Sequence, residues 1–131
     1  MNISNRKRIS NILENISKPA RIEILLAIGD DEVCVCHLEA ILGYRQAYIS
    51  QHLMALREAG VLVTRREGRF IFYSLHDIRM LQLIQDAGHI AGISDDVLKD
   101  MVKSEKISSC ICPSCDPTVQ IEQFADQSST P

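Results

Sequence analysis

Apolar residues recur at Ile9, Ile12, Leu13 and Ile16, a spacing that predicts an amphipathic helix over 3–16. Ser17-Lys18-Pro19 interrupts the pattern, and proline suits the first turn of a following helix. That second helix is expected over 19–28, with Ile22, Leu25, Leu26 and Ile28 facing a core and Gly29-Asp30-Asp31 as the stop. A short helix over about 36–42 closes at Gly43. A longer one over 46–58 points Ile49, Leu53 and Leu56 inward and stops at Glu58-Ala59-Gly60, where glycine can take a left-handed cap. Beyond Gly60 the period falls to two. Segments 61–64 and 70–75 read as strands about a turn at 65–69, with Gly68 at its tip. Helical spacing returns over 77–92 through Ile78, Leu81, Ile84 and Ala87/Gly88, and Ser94 can cap a last short helix over 95–103. Gly88 and Gly92 lie four apart, which suits either close packing at a dimer seam or a helix end.

Two helices joined by a tight glycine-containing turn make a helix-turn-helix, and a β-hairpin directly behind it is a wing. The expected fold is therefore mainly α with a small β-hairpin. At 131 residues and 14.7 kDa the chain fits one domain. Residues 1–103 are expected to form it, and 104–131 a polar, partly flexible tail carrying Cys110, Cys112 and Cys115. The apolar runs, such as Ile24-Leu25-Leu26-Ala27-Ile28, are far too short for a membrane span, and no apolar stretch of a signal peptide follows Arg6-Lys7-Arg8. A cytoplasmic location is expected.

The formal net charge of −3 argues against a nucleic-acid partner, but its distribution reverses that picture. Residues 1–80 carry 11 Lys/Arg against 9 Asp/Glu, and residues 81–131 carry 3 against 8. Between 44 and 79, Arg45, Arg57, Arg65, Arg66, Arg69 and Arg79 meet only Glu58, Glu67 and Asp77. A local basic face matters more to DNA than the total. On a helix lying in the major groove, Arg45, Gln46, Ala47, Tyr48, Ser50, Gln51 and Arg57 are the exposed candidates. Glutamine can pair with adenine and serine can meet any base. His52 is placed for a phosphate or base edge, or else is a buried structural histidine. Arg65, Arg66 and Arg69 at the hairpin suit phosphate or minor-groove contact.

Five cysteines are many for a small cytoplasmic chain, and the odd number favours metal or thiol redox chemistry over a disulfide framework. Cys34 and Cys36 are two apart. In a helix interior such residues point about 200° away from one another. At a helix start, where the backbone is still extended, both can reach one ion. A helix N-terminus also favours the thiolate. Distorting that helix would disturb the recognition helix that it supports. Three thiolates suit As(III), Sb(III), Pb(II) or Bi(III), and four suit Cd(II) or Zn(II). His37 is expected at a cap or on the surface.

The stretches Cys34-Val35-Cys36-His37-Leu38, Gln46-Ala47-Tyr48-Ile49-Ser50-Gln51-His52-Leu53, Leu56-Arg57-Glu58-Ala59-Gly60-Val61-Leu62-Val63 and Arg69-Phe70-Ile71-Phe72-Tyr73-Ser74-Leu75 resemble the ArsR family of metal-responsive bacterial repressors. The likeness covers roughly residues 9–92. It implies a winged helix-turn-helix homodimer, joined through its N- and C-terminal helices, that binds double-stranded operator DNA and lets go when metal binds. Several sensors of the family have a third cysteine shortly after the pair; here Glu39 stands near that place, so the further thiolates are expected from Cys110, Cys112 or Cys115. They would come from the same chain or from the partner, or those three would form a site of their own. A second family site pairs Asp-x-His on the last dimer helix. Here Asp77-Ile78-Arg79 substitutes a cation for the ligand and His89 does not restore the spacing, so zinc is not expected there and Asp77 and Arg79 should make polar contacts.

The function expected is a metal(loid)-responsive repressor induced by As(III), Cd(II), Pb(II) or Zn(II) at Cys34, Cys36, Cys110, Cys112 and Cys115. An alternative keeps the DNA binding but makes the signal a disulfide or persulfide at the same cysteines. A thiol enzyme or metal carrier built on Cys112-Pro113-Ser114-Cys115 lacks the strand-helix setting such chemistry needs.

Overall fold

The computed structural model describes residues 3–102; the expected tail and its three cysteines lie outside the described residues. In chain order the elements are α1 (Ile3–Ile16), α2 (Pro19–Ile28), β1 (Val33–Cys34), α3 (Val35–Leu42), α4 (Gln46–Glu58), β2 (Leu62–Glu67), β3 (Phe70–Leu75), α5 (Arg79–Ile90) and α6 (Asp95–Met101). Three antiparallel strands form a sheet in the order β1-β3-β2. No helix among the described residues is long and apolar enough to cross a membrane.

The hub is α2. Pro19 opens it with a preset φ, and Ala20, Arg21 and Ile24 through Ile28 are all buried. It is apolar nearly all round because α1, α3, α4, α5, α6 and β3 all contact it. Leu38 of α3, Ile49, Leu53 and Leu56 of α4, Leu62 of β2 and Ile84 of α5 complete the core. Gly60, at φ +80°, ends the α4 stretch as expected.

Several boundaries differ from the sequence expectation for physical reasons. The hairpin turn is two residues long, Gly68-Arg69, and Glu67 pairs with Phe70. A positive φ at the first turn position matches the strand twist and suits glycine; Gly68 has φ +60°. Arg65 and Arg66 therefore stand in β2, facing Phe72 and Ile71 across the ladder, and not in the turn. The charges masked a strand that cross-strand pairing sustains. The two-residue β1 was not anticipated; its partners Tyr73 and Phe72 are remote in sequence. Helix α5 starts at Arg79 because the Asp77 carboxylate accepts the Arg79 amide hydrogen at 3.0 Å, a local turn that competes with helix at 77–78. Helix α6 ends at Met101, short of the expected 103.

The glycine pair divides its roles. Gly92, at φ +86°, lies just beyond the end of α5. Gly88 lets α6 approach: a Cβ there would stand 2.6 Å from a Leu98 methyl carbon. Its neighbour is thus within the chain.

Candidate nucleic-acid interface and thiol pair

Helices α3 and α4 are joined by Gly43, Tyr44 and Arg45, and the joint leaves the N-terminal half of α4 open on one side. Arg45, Gln46, Ala47, Gln51 and Arg57 are exposed, Tyr48 is 42% exposed, and Ser50 is half-buried. Ile49 and Leu53 sit on the opposite side with no exposure. That separation is what a base-reading helix needs: one face seated and the other wet.

His52 takes the second of its two expected places. It is 9% exposed, so it faces inward and not toward a base edge. Arg21 of α2, also buried, donates Nε to His52 Nδ1 at 3.0 Å and Nη1 to the Asn15 carbonyl oxygen at 3.0 Å. Burial depresses the His52 pKa from its ordinary value, and the Arg21 and Lys18 charges add to the effect. A neutral imidazole is what the geometry requires, since its Nδ1 accepts. The contact ties α4 to α2 behind the recognition face. Tyr48 meets the His52 ring edge-on at 4.6 Å between centroids and packs on Tyr44 at 5.0 Å. Arg21 was missed in the sequence; its signal was the one cation of a helix whose other residues, Glu23 apart, are apolar through Ile28.

The wing arginines differ in company. Arg69 lies over the Phe70 ring at 5.6 Å. Arg66 is exposed and has no ion-pair partner among the described residues. Arg65 is held by acids: its Nη2 lies 2.6 Å from a Glu32 carboxylate oxygen and its Nη1 3.2 Å from Glu67. The Glu32 hydrogen bond raises the Arg65 pKa further above its ordinary value.

Cys34 is the N-cap of α3, with φ −91° and ψ 167°, and Cys36 is the second residue of that helix. The pair thus stands where the backbone passes from extended to helical, the place the spacing argument required. Cys34 is buried at 2% exposure and clusters with Phe72 of β3, and half-buried Cys36 and Phe70 pack against that pair. His37 is buried at 3% exposure rather than on the surface, because it turns inward beside Leu38; desolvation lowers its pKa while Asp31 opposes the shift. Cys110, Cys112 and Cys115 lie outside the described residues. Among the described residues no group of three or more His, Cys, Asp and Glu is placed to hold a metal ion. The pair supplies two soft donors that fit a thiophilic ion but leave its coordination incomplete.

Asp77 and Arg79 form the expected polar contact, with Arg79 Nη2 2.6 Å from the carboxylate. The Arg79 hydrogen bonds hold the Asp77 pKa down to about 2.

Comparison with known proteins places this arrangement. A sequence profile described as "Bacterial regulatory protein, arsR family" matches residues 18–64. The biofilm growth-associated repressor of Agrobacterium fabrum is 39% identical over 77 residues, covering 59% of this chain and 66% of that protein. The arsenic resistance transcriptional regulator ArsR1 of Pseudomonas putida is 47% identical over 57 residues, 44% of each chain. The chain thus spans about two thirds of the first and less than half of the second. The crystal structure of the transcriptional repressor BigR from Xylella fastidiosa superposes with a TM-score of 0.59 at 31% identity, over 69% of this chain and 96% of that one. These relatives are named as repressors and regulators of transcription, not as enzymes. The sequence match, the winged helix-turn-helix and the seated recognition helix agree, and this chain belongs to the ArsR family of bacterial regulatory proteins.

Proposed function

We propose that this protein is a cytoplasmic repressor that holds operator DNA as a homodimer and releases it when a thiophilic ion takes Cys34 and Cys36. The single observation behind this is the position of Cys34 at the extended N-cap of α3 with Cys36 one turn-step inside. Only there can two residues of that spacing serve one ion, and α3 packs directly on α4. The name of the arsenic resistance regulator supports As(III), and Cd(II), Pb(II) and Zn(II) are the other ions that thiolates suit. Two thiols need company, so Cys110, Cys112 and Cys115 are assigned as further donors.

The same face supplies the DNA contacts: Gln46, Ala47, Tyr48, Ser50 and Gln51 toward bases, and Arg45, Arg57, Arg66 and Arg69 toward phosphates. Arg65 joins them when Glu32 releases it. For the dimer, Ile9 and Leu13 on α1 and Leu83 and Ile90 on α5 are exposed at 50%, 48%, 38% and 89%. Two helices that leave such stripes uncovered suit a self-complementary partner.

The test is titration of the reduced full chain with As(III), Cd(II), Pb(II) and Zn(II), reading thiolate-to-metal absorbance and operator anisotropy together. One ion should raise the absorbance and lower the anisotropy, and Cys34→Ser should abolish both. Release by oxidant with no response to any ion would give the function to the disulfide or persulfide reading instead.

A further inference from the structure

The thiol pair is joined to the wing as well as to the recognition helix. Across the sheet, Cys34 on β1 pairs with Phe72 on β3, and Phe72 pairs with Arg65 on β2. These three residues form one row. Cys34 packs on Phe72, and the Arg65 guanidinium carbon lies 4.8 Å from the Phe72 ring centroid. The row is closed by Glu32, two residues before Cys34. Arg65 donates Nε to both Glu32 carboxylate oxygens at 3.1 Å and Nη2 to Oε1 at 2.6 Å. The cysteine backbone and the wing cation are therefore linked twice, by ring packing and by a forked ion pair.

We propose that Glu32 and Arg65 form a latch that carries the state of Cys34 to the wing, with the Glu32 carboxylate and an operator phosphate as alternative counter-ions for one guanidinium. Arginine matches either anion with the same planar fork. The pair is exchangeable because it is not deeply buried: side-chain exposure is 49% for Arg65 and 35% for Glu32. The moving part is small, since β1 is two residues long and, among the described residues, pairs only with β3. A ligand drawing on Cys34 shifts the segment that carries Glu32, and Arg65 is retained or surrendered accordingly. Glu32 is thus a positioning residue for the wing. Latched, Arg65 adds nothing to the phosphate-facing charge; unlatched, it keeps only the longer 3.2 Å contact with Glu67 on its own strand and turns the fork that Glu32 held toward phosphate.

The inference rests on the reading that operator DNA meets this wing, and two readouts separate the two. The first needs no DNA. In the full chain carrying Cys36→Ser, Cys110→Ser, Cys112→Ser and Cys115→Ser, methyl methanethiosulfonate is applied until mass spectrometry shows Cys34 as the methyl mixed disulfide, its thiolate sulfur displacing methanesulfinate. The Arg65 Nε–H resonance should shift on modification; an unmoved resonance overturns the latch whatever the DNA result. The second is operator affinity against salt for wild type, Glu32→Gln and Arg65→Ala. Glu32→Gln should bind several-fold tighter at low salt and steepen the salt slope by about one unit. The thiol-dependent fold-change should shrink in both variants. Equal slopes for wild type and Glu32→Gln would also overturn the latch, while wild type that never binds DNA would overturn the functional reading. Thermal unfolding of Glu32→Gln near the wild-type midpoint shows the fold intact, and the resonance test on native Glu32 decides if it is not.

Discussion

The recognition helix and the wing present basic or polar faces to the same side of the problem, yet they are held in opposite ways. Helix α4 is seated by Ile49, Leu53 and Leu56, each at 0% exposure, and by the buried Arg21–His52 hydrogen bond. The wing is anchored by Leu62 at the start of β2 and Phe72 on β3, and beyond them it is held by a surface ion pair. Buried apolar contacts are costly to break, while exposed ion pairs are worth little. The difference teaches a division of labour: the helix fixes register on DNA, and the wing is the part that a weak signal can redirect.

The contrast can be broken most severely at the helix seat. Leu53→Ala should cost about 2–5 kcal/mol through lost burial and a cavity, seen as a large fall in the urea midpoint. It should weaken every operator alike, because the whole reading face loosens. A specific break comes next. Gln51→Ala should lose about 1–3 kcal/mol of discrimination at one base position, measured by binding to single-substituted operators, with the unfolding curve unchanged. Arg66→Ala on the wing should weaken all sequences equally and lower the salt slope by about one. If both variants bound like wild type in gel-shift titration, the interface assignment would fail.

The gentlest test uses acid. His52 and His37 both have pKa values depressed below the ordinary 6.5, chiefly by burial. A depressed histidine leaves the unfolded chain holding more protons, so its stability is fully present above pH 6.5 and is lost as pH falls toward the folded value. Urea midpoints from pH 7.5 to 5 should decline across that window, and His52→Gln should flatten the decline. A pH-independent midpoint would remove the Arg21–His52 contact from the account of the helix seat.

Most of the frame was legible because it is local. Period and stop signals placed α1, α2, α4 and β3 on their observed spans, since each is decided by neighbours within a few residues. The thiol pair at a helix start was legible for the same reason. What escaped depends on partners remote in sequence. β1 exists only because Phe72 and Tyr73 lie beside it. Arg65 reads as a loop cation until Glu32, 33 positions away, closes on it. His52 stays open between a DNA-facing place and a buried structural one until Arg21 is placed behind it. Spacing along a chain says which side of an element is apolar; it does not say which charge will meet which.

The bare α-carbon of Gly88 has one more consequence. By admitting Leu98, it berths α6 against α5 and fixes the point from which the remaining chain pays out. The line that α6 takes across α5 is thus set by a glycine that carries no functional group, and a bulkier residue there would move that line while every side chain of α6 stayed the same.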